Sequence, residues 1–104
     1  MKIEIIACAE EELAEAVDYY NEQSQGLGHK FAKEVKCTFN RILRLPEAWP
    51  NISINTRRCI TSKFPYGIIY QIRKKRILVI AVMHMRRDPR RWQDRIKQFS
   101  DKTI

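Results

Sequence analysis

The chain has 104 residues, 44% of them hydrophobic and 31% charged, which fits one soluble globular domain over residues 1–104. The longest apolar run, Ile77 to Met83, falls far short of the ~20 residues a membrane span needs. Met1-Lys2-Ile3-Glu4 opens no signal peptide, so a cytoplasmic protein without membrane contact is expected. The formal net charge is +8 and is unevenly spread. Residues 1 to 50 hold six Lys/Arg against nine Asp/Glu, a net of −3; residues 51 to 104 hold fourteen against three, a net of +11. The second half therefore carries the expected functional surface, with a field that draws polyanions: nucleic acid, ribosomal RNA or an acidic protein segment.

Cys8, Cys37 and Cys59 are odd in number and form no CxxC pair, as expected for buried thiols in a reducing compartment. His29 and His84 are far apart and have no nearby cysteine or carboxylate cluster. Neither a bound metal nor any other cofactor is expected.

Lys2 to Ala7 carries Ile3, Ile5 and Ile6 between charges, the composition of a short half-buried strand. From Ala9 to Gln23 the period becomes helical. Leu13, Ala16, Val17 and Tyr20 share one stripe, and Glu10, Glu11, Glu12 and Glu15 favour the positive helix N-terminus, though the start is poorly capped. After Ser24-Gln25-Gly26 a second helix runs from Leu27 to Leu45, where Pro46 stops it, making a helical hairpin. Phe31, Val35, Phe39 and Ile42 form its apolar stripe, with Lys30, Lys33, Arg41 and Arg44 on a solvated face. Pro46 to Thr56 reads as a loop anchored by Trp49.

Three strands follow: Arg57 to Thr61, Ile68 to Arg73 and Arg76 to His84. Lys74-Lys75 is the turn between the last two, a poor turn sequence without Gly or Asn. In the third strand Ile77, Val79, Ala81 and Met83 stand opposite Leu78, Ile80 and Val82, the two-sided apolar pattern of a central strand. Pro89 opens a short helical turn with Trp92 and Arg95, and the tail is loose from Lys97. The order is β-α-α-β-β-β: an α+β domain with a helical hairpin on a small, mainly antiparallel sheet.

Phe64-Pro65-Tyr66-Gly67-Ile68-Ile69-Tyr70 leads into one strand, and Ala81-Val82-Met83-His84-Met85-Arg86-Arg87-Asp88-Pro89 closes another. With the acidic first helix ending in Tyr19-Tyr20, then Gly26-Leu27-Gly28 and Phe31, the chain resembles the RelE/ParE toxin superfamily over nearly its whole length. The resemblance implies a type II (plasmid stabilization) toxin held inactive by a cognate antitoxin, whose acidic segment folds over the basic half. One branch poisons DNA gyrase; the other is a ribosome-dependent endonuclease that cuts mRNA. The long hairpin and the His-Met-Arg-Arg-Asp-Pro ending look more like the ParE branch.

Under the nuclease alternative, His84 moves protons while Arg58, Lys63, Arg86 and Arg87 hold phosphate. Two positions depart from the RelE pattern: Gly67 stands where such nucleases carry an arginine, and Trp92 where they carry a tyrosine whose role indole cannot fill. Under either reading Arg57, Arg58, Lys63, Arg86, Arg87, Arg90, Arg91 and Trp92 are the residues expected to meet the target. Plainer roles stand beside these. His84 also suits a hydrogen-bonded strand end, the four arginines between 86 and 91 a solvated turn, Asp88 an offset to their repulsion, Tyr66 and Tyr70 sheet packing, and Trp49 and Trp92 loop anchors. A non-toxic basic nucleic-acid-binding module is a further alternative, and Arg57 to Thr61, as an exposed edge, is open to pairing in a homodimer or with the antitoxin.

Overall fold

A computed structural model describes residues 1–101. In chain order the elements are β1 (Lys2–Ile5), α1 (Ala7–Gln23), α2 (Leu27–Arg44), β2 (Asn51–Ser53), β3 (Thr56–Ile60), β4 (Tyr66–Arg73), β5 (Arg76–His84) and α3 (Arg90–Asp101). The strands form one sheet in the order β1-β5-β4-β3-β2. β1 runs parallel to β5 and the other pairings are antiparallel, a mainly antiparallel sheet as the sequence implies. No helix among the described residues is long and apolar enough to cross a membrane.

The helical hairpin covers one face of the sheet. α1 starts after Ile6 with no side-chain cap, and Gly26 enters α2 in the left-handed region at φ 84°. Ala9, Ala16, Phe31, Val35 and Ile42 pack on Cys59, Ile68, Tyr70, Ile77, Val79 and Val82, with Leu13, Val17, Tyr20 and Phe39 at the margins. The helices approach closely at Gly28, whose N–H donates to Asn21 Oδ1 at 2.8 Å. Arg41, expected in the solvated row, instead donates to the buried Thr38 hydroxyl at 2.9 Å.

Four readings of the sequence need correction. The stretch from Pro46 to Thr56 contains β2, so Arg57 to Thr61 is not the sheet edge: Asn51 pairs with Arg57 and Ser53 with Thr56. A three-residue strand leaves no period to read, and its pairing with β3 supplies what its sequence lacks. The short turn after Pro89 is a twelve-residue helix to Asp101, so the chain is helical where a loose tail was expected from Lys97; residues 102–104 lie outside the described residues. The strict alternation in β5 also fails. Ile69 pairs with Ala81 and Tyr70 with Val79, leaving Ile80 as the extra residue of a bulge. Val82 thereby joins Ile77 and Val79 under the hairpin, while Leu78, Ile80, Ala81 and Met83 face the other side with Ile69 and Trp92. Lastly, Cys8 and Cys37 are exposed and only Cys59 is buried, where burial pushes its thiol up to about 11.

α3 lies over that second face. Trp92, 6% exposed, is its anchor in the core. Such burial of an indole stabilises by roughly 3 kcal/mol.

Candidate functional site

His84 ends β5, paired with Tyr66 at the start of β4, and the chain turns there toward α3. The turn is held by backbone bonds from Met85 N to Pro65 O and from Arg87 N to His84 O. The Arg86 N–H donates to His84 Nδ1 at 3.1 Å, so in the neutral ring the proton sits on Nε2. Tyr66 meets the imidazole edge-on with centroids 5.4 Å apart. It continues through Tyr20, Phe31 and Phe64 as one aromatic cluster at the mouth of the hairpin. Burial raises the Tyr66 phenol and the nearby Arg87 guanidinium draws it back down.

Two clefts open on either side of His84. The larger, about 340 Å³, runs between α1 and the end of β5; Glu12, Glu15, Tyr19, Tyr66, His84 and Arg91 are among its walls. The smaller, about 110 Å³, lies toward the second face and is bounded by Arg58, Gly67, Met85, Pro89 and Trp92. His84 and Arg87 line both.

β1 stops at Ile5, opposite Val79, so β5 continues past its parallel neighbour. Side chains take over that edge. Glu12 accepts the Val82 N–H at 3.1 Å, and Arg95 donates to the Ile80 carbonyl at 3.1 Å. The two groups also face each other in a two-bond pair at 2.7 and 2.9 Å, with side chains only 11% and 15% exposed. This hydrogen bond raises the Arg95 pKa further above its ordinary value. Arg91 adds a longer contact to Glu12 at 3.8 Å. One carboxylate thus fastens α3 to α1 and closes the sheet edge.

The expected target-facing residues divide sharply. Arg58, His84 and Arg87 are gathered around the smaller cleft. Arg57 points to the opposite side and donates to the carbonyls of Glu47 and Trp49 at 3.0 and 2.6 Å, tying down the loop after α2. Lys63 is exposed in the β3–β4 turn and lines neither cleft. Arg86 is exposed beside the ring it supports. Arg90 pairs with Asp88, whose carboxyl it holds below the usual range. Trp92 presents only an edge to the small cleft. Tyr70 is fully buried, donates to the Pro46 carbonyl at 2.6 Å, and is pushed up to about 12 by burial.

Reading the sequence missed Glu12, Glu15 and Tyr19 as cleft residues. Their signal was present, because positions 12, 15/16 and 19 form a row beside the apolar stripe, but acidic residues in a first turn read as complements to the helix dipole.

The architecture defines a small basic α+β domain with a helical hairpin on one face of a mixed sheet, a third helix on the other, and clefts at the end of its central strand. A family model described as ParE toxin of type II toxin-antitoxin system, parDE, matches residues 3–89, and the chain belongs to that family. Among ten matching solved chains is one from the chromosomal ParDE TA system of P. aeruginosa. It is 13% identical with a TM-score of 0.66, and the alignment covers 81% of this chain and 95% of that one. At that identity the likeness shows the fold alone. A search of curated proteins finds no match.

Proposed function

We propose that this ParE-family chain stops growth by inhibiting DNA gyrase and is neutralised by a cognate antitoxin. What carries the choice of gyrase over the ribosome is the state of the two positions where RelE-like nucleases hold reactive groups. Gly67 offers no side chain, and Trp92 is buried between α3 and the sheet with no ionisable group. A binding toxin needs neither. The charge split, net −3 and net +11 in the two halves, supports an acidic antitoxin segment that folds on binding.

The test is inducible expression in bacteria with labelled thymidine and labelled methionine followed in the minutes before growth stops. Thymidine incorporation falls first, and the purified chain inhibits supercoiling by gyrase. An early loss of methionine incorporation would refute the gyrase assignment. Co-expression of the neighbouring gene product relieves toxicity and co-purifies with the chain; failure of both would remove the antitoxin assignment.

A second reading, a ribosome-dependent endonuclease, is favoured by one observation: His84 has its Nδ1 satisfied and stands beside Arg87 and Tyr66. Under it, His84→Gln abolishes mRNA cleavage without unfolding the protein. Under the gyrase reading, the same variant keeps its toxicity.

A further inference from the structure

The two helices of the hairpin carry opposite charge on the side turned away from the sheet. α1 holds six acidic residues and no Lys or Arg; α2 holds five Lys/Arg and a single acid, Glu34. Three of these groups are engaged internally: Glu12 with Arg95, Arg41 with Thr38, and Glu34 with the Ser62 N–H. Glu11, Glu15, Asp18 and Glu22 fall at i, i+4, i+7 and i+11, one exposed row facing away from the buried Ala9 and Ala16. Lys33, Lys36, Asn40 and Arg44 make a matching exposed row on α2, facing away from Phe31, Val35 and Ile42, with Lys30 beside it. Each row is about 17 Å long. Among the described residues no ion pair joins α1 to α2, so both rows present their charge to solvent. Gly28 lies against Asn21 and the Val17 carbonyl, which fixes the level of one antiparallel helix against the other. Counted from that contact, Asp18, Glu15 and Glu11 stand level with Lys30, Lys33 and Lys36.

We infer that this face is a self-association surface whose partner is a second copy of the chain. A polyanion laid along α2 comes within about 8–10 Å of the acidic row, the spacing of packed helices and about one Debye length, so the carboxylates oppose it. The complement of an acidic row beside a basic row is the same pair of rows exchanged. A twofold axis running between the helices and parallel to them supplies it, laying α1 of each copy on α2 of the other and keeping every residue at its own level. Asp18, Glu15 and Glu11 then meet Lys30, Lys33 and Lys36 of the second copy, and the same pairs form in return. A twofold axis across the helices stacks acid on acid instead, so charge selects the parallel axis. Two helices ~25 Å long and together ~20 Å wide cover roughly 500 Å² on each copy, the low end of specific interfaces. The centre is polar, so the dimer is weak and sensitive to salt. Cys8 extends the acidic row by one turn, and Cys37 lies in the basic row at nearly the same level. Both are exposed, so the axis brings Cys8 of one copy across from Cys37 of the other. The contact is independent of what the chain inhibits.

The purified full chain is followed by sedimentation velocity from low micromolar to near-millimolar concentration. At ~0.1 M salt the sedimentation coefficient rises toward that of a dimer, and at ~0.5 M it stays that of a monomer. Glu11→Lys, Glu15→Lys and Asp18→Lys together weaken association at least tenfold, and so do Lys30→Glu, Lys33→Glu and Lys36→Glu together. Mixing the two triple variants restores a dimer, although the parent charge of +8 leaves both of them net positive. The variant carrying all six changes keeps the parent net charge and dimerises as the parent does. Circular dichroism checks that each variant is folded. A short bismaleimide joins Cys8 of one copy to Cys37 of the other, read as a mixed-isotope peptide from ordinary and heavy-labelled chain. A monomer at every concentration in ~0.1 M salt, or a dimer that neither triple variant weakens, would overturn the surface. Cys37–Cys37 links in place of Cys8–Cys37 would overturn the axis. Binding of a fluorescent DNA duplex that is lost with the three lysine changes, in a chain that stays monomeric, would assign the basic row to nucleic acid instead. Supercoiling by gyrase is assayed separately, so failure of the gyrase reading and failure of the dimer are told apart.

Discussion

At residue 28 helix propensity and close packing oppose each other. Alanine gains up to ~1 kcal/mol over glycine in a helix. At Gly28, however, the new Cβ would lie 2.2 Å from the Val17 carbonyl oxygen and 2.6 Å from the Asn21 Oδ1 that caps the Gly28 N–H. Overpacking against backbone costs about 1–3 kcal/mol and the hydrogen bond is strained as well, so Gly28→Ala destabilises by about 1–2 kcal/mol net, read as a lower urea midpoint. Lys75 presents the converse case. It sits at φ 61° in the β4–β5 turn, a left-handed conformation that costs a non-glycine residue about 1–2 kcal/mol. Lys75→Gly removes that cost but adds ~0.5–1 kcal/mol of chain entropy. A gain of about 0.5–1 kcal/mol remains, visible in thermal melts. The sequence already marked Lys74-Lys75 as a poor turn, and the strain falls on its second residue. Cys59 and Tyr70 set the alkaline limit of the fold. Both are held neutral by burial, with thiol and phenol at about 11 and about 12 against ordinary values of 9.0 and 10.0. Raised values favour the folded state fully below pH 9, and that advantage is lost as pH rises toward 11 and then 12. Cys59→Ala flattens the lower part of that decline, measured as denaturation midpoint against pH.

Whole elements were legible where their information is local. The stripes of α1 and α2 repeat every turn along one segment, and Pro46 stops α2 within a residue of its expected end. β5 matches its expected bounds, and β4 ends where expected at Arg73 but begins two residues earlier, at Tyr66. What escaped was set by contacts distant in sequence. The bulge at Ile80 is invisible because both faces of β5 are apolar, so a change of phase leaves the pattern unchanged. The length of α3 was hidden because it is stabilised by Trp92 in the core and by Arg95 on a carboxylate far earlier in the chain. Glu12→Gln therefore acts on an element rather than on one contact. It leaves the Arg95 guanidinium half-buried without its anion, a loss of about 2 kcal/mol or more. Amide exchange accelerates in α3 and, to a lesser degree, at Val82, whose N–H keeps only a neutral amide oxygen as acceptor, while β4 amides keep their protection. Uniform acceleration throughout the sheet would show that α3 is not a separable element.

At the scale of the whole molecule, the charge split read from the sequence is only partly a division of surfaces: α1 carries most of the acidic residues, while basic ones lie along α2, at the β4–β5 turn and from the end of β5 into α3. The arginines nevertheless differ in kind, which no count of charges reveals, because internal pairing separates Arg58 and Arg87 from Arg57, Arg90 and Arg95. The parallel pairing of β1 with β5 has a consequence of another kind. Lys2 meets Arg76, and Glu12 meets Arg95, across contacts of high sequence separation. A ribosome adding about 5–20 residues each second leaves β1 without its partner for roughly 4–15 s. Through that interval the nascent chain has neither a central strand nor the clefts beside His84. Biosynthesis is therefore an interval in which the chain has no assembled cleft, and the contact order of the fold sets its length.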